Sequence, residues 1–190
     1  VNTAILDPGY APISMSGVNC CYLAQGETQS RGADFEINGS LTRDWNVFAG
    51  YTYNENEYKK GFTTSGAAFM PQTPRHLFKL WTTYKLPNRF DQWELGLGVN
   101  AQSKTYVQGT VITYDLGTGT ALGSAPYSFT QGGYTLLSAR VQYEINDHWS
   151  AALNLTNITD KTYYQTVGTS AWANWYGAPR GYMVTMRGKF

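Results

Sequence analysis

The chain has 190 residues, of which 42% are hydrophobic, 15% aromatic and only 14% charged, and its formal net charge at pH 7 is +1. A charge so near zero gives no electrostatic reason to expect a nucleic-acid partner. No segment approaches the ~20 consecutive apolar residues of a transmembrane helix, which argues against a helical membrane protein.

Alternating apolar and polar residues predict a series of long β-strands. Successive side chains of a strand point to opposite faces, so a sustained period of two gives one apolar and one polar face. The clearest alternation runs from Tyr134 to Ile145. Its length matches the ~9–11 residues with which a barrel strand crosses the outer membrane. In chain order, the predicted strands are 33–41, 47–54, 77–86, 93–102, 134–145, 149–156 and 182–190.

The predicted connections are short at one end of the strands and long at the other. Short turns lie near Arg43, Asn88 and Asp147. The long connections are 7–21, 58–73, 108–132 and 166–177. This asymmetry is typical of outer-membrane barrels, whose long loops face outside the cell.

Tyrosine and tryptophan gather near the strand ends. In a barrel they would form aromatic girdles at the two membrane interfaces, and in a soluble β-protein they would pack in the core. The residues concerned are Trp45, Trp93, Trp149, Tyr163 and Tyr164.

The number of strands predicts an incomplete barrel. Besides the seven strands, residues 1–6 form only a stub that is too short to cross the bilayer. Bacterial single-chain barrels have an even number of strands, and an open edge in lipid would leave backbone groups unpaired. We therefore expect the C-terminal part of a larger barrel.

Reactive side chains are few, and we predict neither a catalytic nor a metal site. His76 begins a strand and His148 lies in a short turn, so the two histidines are expected at opposite ends of the barrel. The adjacent Cys20 and Cys21 could be two free thiols or one strained ring, and a structural or incidental role is expected for them.

Three stretches carry motifs that occur together in one family. Residues 30–58 contain Gly-x-Asp-x-Glu, Leu-Thr-x-x-Trp and Gly-Tyr-Thr-Tyr, and residues 70–86 contain Pro-x-x-Pro-x-His. Residues 153–190 contain Asp-Lys-x-Tyr-Tyr, Tyr-Gly-Ala-Pro-Arg and a terminal Phe. In this order and spacing the stretches resemble the TonB-dependent ferric-siderophore receptors, and the Tyr-Gly-Ala-Pro-Arg pattern is most similar to their hydroxamate and pyoverdine types.

The resemblance implies an all-β, transmembrane, antiparallel up-and-down barrel in the bacterial outer membrane. Residues 1–190 would supply about the last seven to eight of its 22 strands, while the plug domain and the TonB-contacting segment would lie outside them. Phe190 would be the signal read by the barrel assembly machinery, and lipid and lipopolysaccharide would surround the wall. The implied function is energy-dependent uptake of a ferric siderophore, linked to TonB–ExbB–ExbD through the N-terminal part, with no covalently bound cofactor.

Aromatic residues of the long connections are the expected siderophore contacts, because aromatic and hydrogen-bonding side chains suit a bulky, rigid iron chelate. Trp172 is the strongest single candidate, and the simpler interpretation of the whole set is girdle or loop packing. The candidates are Trp172, Trp175 and Tyr176 in the last loop, with Tyr106, Tyr114 and Tyr127 on or beside the loop after the fourth strand.

Two other functions compete with the receptor interpretation. A small autonomous outer-membrane barrel with a structural or adhesive role is the first, and a complete first strand would favour it. An outer-membrane enzyme is a more distant third, because no nucleophile, phosphate-binding or zinc-protease motif occurs.

Overall fold

The computed structural model describes residues 2–6, 22–60, 65–168 and 172–189. Strands dominate, and the one helical segment described is a 3-10 turn at Asn88–Phe90. The described residues contain no helix long and apolar enough to span a membrane. The strands are β1 Asn2–Leu6, β2 Tyr22–Ser40, β3 Trp45–Lys60, β4 His76–Lys85, β5 Trp93–Gln102, β6 Thr105–Tyr114, β7 Ala121–Gln131, β8 Tyr134–Glu144, β9 Trp149–Thr156, β10 Tyr164–Thr166, β11 Trp175–Tyr176 and β12 Gly181–Gly188.

The chain divides into two compact units. The first comprises Val1–Ala33 and Asn54–Pro71. In it, β1 pairs antiparallel with β2, with Thr3 opposite Gly26. The side chain of Asn56 accepts a hydrogen bond from the backbone of Met70 (2.9 Å), which fixes the connection after β3.

The second unit, Asp34–Tyr53 and Gln72–Phe190, contains most of the sheet. Its strand order is β2-β3-β4-β5-β8-β9-β12, and the registers from β3 onward are antiparallel. The pairs β6–β7 and β10–β11 form separate two-stranded sheets. This order confirms the predicted all-β, antiparallel class.

One face of the sheet is a continuous apolar surface. Cross-strand partners join Tyr84, Leu95, Val141, Leu153 and Val184 into one row. Tyr84, Leu95, Leu153 and Val184 are exposed, Val184 to 74%. Apolar rows this wide on an uncovered face need lipid or another apolar partner, as the barrel prediction requires.

A belt of aromatic residues follows the short turns. Each short turn closes with a backbone hydrogen bond donated by Leu or Ile to a tryptophan carbonyl, as from Leu41 to Trp45 (2.8 Å) and from Ile145 to Trp149 (2.9 Å). The rings of Trp93 and Tyr143 pack with centroids 4.6 Å apart. The predicted girdle residues Trp45, Trp93 and Trp149 therefore all lie beside the short turns, at the same end of the sheet.

Two aromatic residues expected in a girdle lie elsewhere. Tyr163 is 8% exposed, and its ring packs against Tyr134 with centroids 4.4 Å apart. Tyr164 stacks on Tyr176 in the last long connection. The girdle prediction is wrong for these two residues because the chain has already left the sheet at Asn157 and folds back over its end.

The prediction of a loop at residues 108–132 is also wrong, since these residues form most of the β6–β7 hairpin. Gly109, Gly123 and Pro126 interrupt the alternation on which strand prediction depends. Proline is tolerated in β7 because both strands of a two-stranded sheet have an unpaired edge. Strands β2 and β3 likewise extend beyond the predicted 33–41 and 47–54.

On the polar face, the indole ring of Trp81 rests on two glycines. A Cβ atom at Gly98 would lie 2.8 Å from Cε3 of Trp81, and one at Gly96 would lie 2.9 Å from Cζ2 of the same ring. The indole therefore occupies the space above both glycines. Gly50 lies on the same face, and a Cβ there would meet nothing within 4 Å.

Replacing Gly98 by alanine should destabilise the sheet by ~1–3 kcal/mol, because the methyl group forces Trp81 out of its position. Thermal unfolding of the detergent-solubilised protein measures the loss. Gly50→Ala is the matched control and should stay within about 0.5 kcal/mol of the wild type. Equal effects of the two variants would show that the contact with Trp81 does not matter.

Candidate functional site

The last long connection stands on a short hydrogen-bonded neck formed by β10 and β11. Tyr164 lies opposite Tyr176, their hydroxyl oxygens are 2.9 Å apart, and their rings stack with centroids 4.3 Å apart. Beyond the neck, the amide of Gly168 donates a hydrogen bond to Oδ1 of Asn174 (3.0 Å). These contacts hold both ends of the loop at a fixed separation.

Three of the predicted contact residues project from this loop. Trp172 is 78% exposed, Trp175 68% and Tyr176 64%. Exposed aromatic side chains on an ordered backbone are typical of binding surfaces, because they offer large contact areas with little loss of conformational freedom. All three candidates therefore lie exposed in the same connection, with Trp175 and Tyr176 on opposite faces of β11 because they are successive strand residues.

The base of the neck is held by a buried asparagine. Asn157 is 5% exposed and has a backbone φ of 47°. Its Nδ2 donates hydrogen bonds to the carbonyls of Lys161 and Ala178 (both 3.0 Å), and its Oδ1 accepts one from the amide of Lys161 (2.9 Å). The side chain thus joins the segment that leaves β9 to the segment that enters β12.

Asp160 and Tyr163 make further links between the same two segments. Oδ1 of Asp160 accepts a hydrogen bond from the amide of Arg180 (3.0 Å). The amide of Gly177 donates to the carbonyl of Tyr163 (2.9 Å). The motifs Asp-Lys-x-Tyr-Tyr and Tyr-Gly-Ala-Pro-Arg, which are separate in the sequence, therefore bind each other and form one clamp under the loop.

The three tyrosines predicted beside the other loop lie on the β6–β7 hairpin. Tyr106 is opposite Thr130, whereas Tyr127 is opposite Gly109 and covers it, so the two tyrosines point to different faces of the hairpin. Tyr114 is 55% exposed at the tip. The hairpin does not gather these three residues into one cluster.

Sequence reasoning missed the residues that connect the hairpin to the last loop. The ring of Phe129 packs edge-on against Tyr164, with centroids 5.0 Å apart. The side-chain oxygen of Gln131 accepts a hydrogen bond from the amide of Tyr164 (2.8 Å). Phe129 and Gln131 share the face of β7 that carries Tyr127, and this spacing of two was the only available signal.

Electrostatics at the neck favours the neutral phenol of Tyr164. The hydrogen bond to the Tyr176 hydroxyl is the main cause that raises the pKa of Tyr164 above its ordinary value, with partial burial and the neighbouring phenol adding to it. The Tyr164 hydroxyl donates its hydrogen bond to the hydroxyl oxygen of Tyr176. Phenol hydroxyls can both donate hydrogen bonds to ligand oxygens and accept them from ligand hydroxyls.

The tip of the hairpin is an Asp-centred turn. Oδ1 of Asp115 accepts hydrogen bonds from the amides of Thr118 (2.7 Å) and Gly117 (2.9 Å) and from the Thr118 hydroxyl (3.0 Å). The Thr118 amide, then its hydroxyl and the Gly117 amide lower the pKa of this carboxyl. The turn therefore depends on the ionised form.

The remaining predicted residues add no second site. The ring nitrogen Nδ1 of His76 lies 2.8 Å from the Tyr51 hydroxyl, while His148 lies in the short turn after β8 at the other end of the sheet. Within the described ranges, no three His, Cys, Asp or Glu side chains are close enough to hold a metal ion. Cys20, Cys21 and Phe190 lie outside the described residues.

Replacing Asn157 by alanine should destabilise the clamp by ~2–4 kcal/mol, because three hydrogen bonds are lost in a buried place and alanine disfavours a positive φ. Thermal unfolding measures the total. Asn157→Gly removes the side chain without the conformational cost, so it should be less destabilising by ~1 kcal/mol. A change below 0.5 kcal/mol in both variants would contradict a structural role for this side chain.

The Asp115 turn should loosen in acid. A lowered pKa means that the stabilisation is complete above the ordinary pKa of 3.8 and is lost as the pH falls through the lower pKa of the folded turn. Amide exchange of residues 115–120, corrected for intrinsic rates, should rise below pH 4. Asp115→Asn keeps an acceptor oxygen at every pH and should abolish this pH dependence; a pH dependence that persists would contradict the assignment.

Comparison with known proteins identifies the family of this architecture. Residues 3–158 match the family described as TonB dependent receptor-like, beta-barrel. The ferric-pyoverdine M114 receptor PbuA of Pseudomonas sp. (strain M114) is 32% identical over 172 residues, which cover 90% of this chain and 19% of that protein. The ferric-pyoverdine 358 receptor of Pseudomonas putida is 35% identical over 164 residues, covering 85% of this chain and 17% of that protein.

A solved structure agrees with these relatives. P. aeruginosa FpvA bound to a ferric pyoverdine superposes with a TM-score of 0.78 at 29% identity, covering 100% of this chain and 23% of FpvA. The chain thus spans about a fifth of the length of the curated relatives that it matches. A match over this much of the chain means that it belongs to the TonB-dependent receptor β-barrel family of the bacterial outer membrane.

Proposed function

We propose that residues 1–190 form part of the wall and rim of an outer-membrane receptor that takes up a ferric siderophore with energy supplied through TonB. The observation that carries the proposal is the loop on the β10–β11 neck, which presents Trp172, Trp175 and Tyr176 to solvent. Two relatives that are 32% and 35% identical are named for ferric pyoverdine, which supports a chelate of that class as the ligand.

The exposed aromatic side chains would contact the chelate, and the neck would keep them in place. A rigid chelate surrounded by organic groups offers apolar edges to tryptophan and oxygen atoms to phenols. Trp172, Trp175 and Tyr176 are the primary contacts in this proposal. Tyr127 is a secondary contact, because its face of the hairpin also carries the contacts to Tyr164. Tyr106 and Tyr114 would contact only a ligand that lies on their own sides of the hairpin.

The energy-dependent steps belong to parts of the receptor beyond residues 1–190. In the proposed arrangement these residues are the C-terminal segment of the barrel, and a plug and a TonB-contacting segment lie elsewhere. TonB–ExbB–ExbD would act on that other part, while Phe190 would serve assembly of the barrel. Lipid and lipopolysaccharide would cover the apolar face that includes Leu95, Leu153 and Val184.

The competing functions have less support. Members of this family are transport receptors, so an outer-membrane enzyme is not proposed. A small autonomous barrel with a structural or adhesive role is not favoured either, because the relatives that match almost the whole chain are siderophore receptors.

Replacing Trp172 or Trp175 by alanine should weaken binding of ferric pyoverdine at least about tenfold, the effect typical of a central aromatic contact, or ~1.4 kcal/mol or more. The measurement is a titration of the outer-membrane protein that carries these residues, followed by quenching of tryptophan fluorescence and by uptake of radioactive iron. A ferric catecholate serves as the comparison ligand.

The control is Phe90→Ala, which removes an aromatic side chain of 47% exposure from a short turn at the other end of the sheet. The affinity of the Phe90→Ala protein for ferric pyoverdine should equal that of the wild type. Unchanged affinity in both tryptophan variants would contradict the assigned contacts. A wild-type protein that binds no ferric siderophore would contradict the function itself.

A further inference from the structure

The aromatic ring of Tyr163 occupies the space where Gly177 would carry a side chain. A Cβ atom built on Gly177 collides with Cζ, Cε2 and the hydroxyl oxygen of Tyr163. The backbones of the two residues are also joined, since the Gly177 amide donates a hydrogen bond to the Tyr163 carbonyl (2.9 Å). Ring and glycine therefore form one interlocking contact, which we call the Tyr163–Gly177 lock.

Space, and not backbone conformation, requires a glycine at this position. Among the described residues, the glycines with positive φ are Gly66, Gly119 and Gly123, so Gly177 adopts a backbone conformation open to other amino acids. The three atoms nearest to a Cβ built on Gly177 all belong to the side chain of Tyr163. This separates the lock from the many turns in which glycine serves only to reverse the chain.

The lock lies at the base of the neck and is supported by the sheet. Tyr163 directly precedes β10 and Gly177 directly follows β11. The Tyr163 ring also packs on Tyr134, the first residue of β8, with centroids 4.4 Å apart. Strand β8 pairs with β5 on one edge and with β9 on the other, so it is a firm support.

We propose that Tyr163 and Gly177 are positioning residues that set the angle at which the neck leaves the sheet. The lock fixes where Trp172, Trp175 and Tyr176 stand before the ligand arrives, which removes the cost of ordering them during binding. Tyr163 is 8% exposed, so it acts through the loop and not by touching the ligand. The proposal rests on the siderophore-binding function proposed above.

The test is a double-mutant cycle with Gly177→Ala and Tyr163→Ala in the outer-membrane protein that carries these residues. Gly177→Ala should speed amide exchange in residues 164–176 at least about tenfold and weaken ferric pyoverdine binding by a similar factor. Because the clash needs the ring, adding Gly177→Ala to Tyr163→Ala should cause no further change. Thermal unfolding of the sheet should show at most a small shift.

Two variants serve as controls. Gly132→Ala adds the same methyl group where nothing lies within 4 Å, so it should match the wild type in exchange and in affinity. Tyr163→Phe keeps the ring and should retain slow exchange. Exchange is measured without ligand, so a receptor that binds no siderophore contradicts the proposed function but still leaves the lock testable.

The result that overturns the lock is a Gly177→Ala protein whose loop exchange equals that of Gly132→Ala. Additive effects in the double variant would overturn it as well, because they would show that Gly177 is needed for something other than the Tyr163 ring. If the Gly177→Ala protein fails to assemble, the double variant provides the test. Assembly of the double variant would support the lock. Failure of the double variant, in a case where Tyr163→Ala alone assembles, would contradict it.

Discussion

A sheet that is one layer thick has nothing of its own to cover its apolar face, and this constraint underlies the whole architecture. The buried apolar side chains described are few and small in total: Ala152, Tyr163 and Val167. The row from Tyr84 to Val184 therefore cannot be stabilised as the core of a soluble domain would be. In the proposed outer-membrane setting, lipid would supply the missing layer, and Trp45, Trp93 and Trp149 beside the short turns would mark its boundary. Backbone hydrogen bonds between the strands satisfy their polar groups.

Three of the five buried non-glycine residues described lie where the last loop begins. Asn157, Tyr163 and Val167 are each less than 9% exposed, and all three belong to the segment between β9 and β11. The clamp around Asn157 joins the motifs Asp-Lys-x-Tyr-Tyr and Tyr-Gly-Ala-Pro-Arg, and each motif supplies one part of the same set of hydrogen bonds. The base of the last loop is thus fixed by buried contacts and hydrogen bonds, whereas the aromatic side chains beyond it are exposed to solvent.

Sequence periodicity predicted the sheet well because the two faces meet different surroundings. Strands β5, β8 and β9 agree with their predicted bounds to within one residue, since apolar side chains recur at every second position on one face of the sheet. The β6–β7 hairpin escaped prediction because both of its faces are largely exposed, so no alternation is imposed on residues such as Gly109 and Pro126. Tyr163 and Gln131 escaped it too, because their roles come from pairing with residues far along the chain, which one sequence alone does not reveal.

The way in which the β6–β7 hairpin is inserted has an evolutionary consequence. Gln102 and Tyr134 are direct cross-strand partners, so the chain leaves the sheet and returns to it at a single point. The wall keeps its register whatever lies between these two residues, and the hairpin has its own hydrogen-bonded ladder. Replacement or lengthening of this hairpin during evolution should therefore leave the register of the wall unchanged.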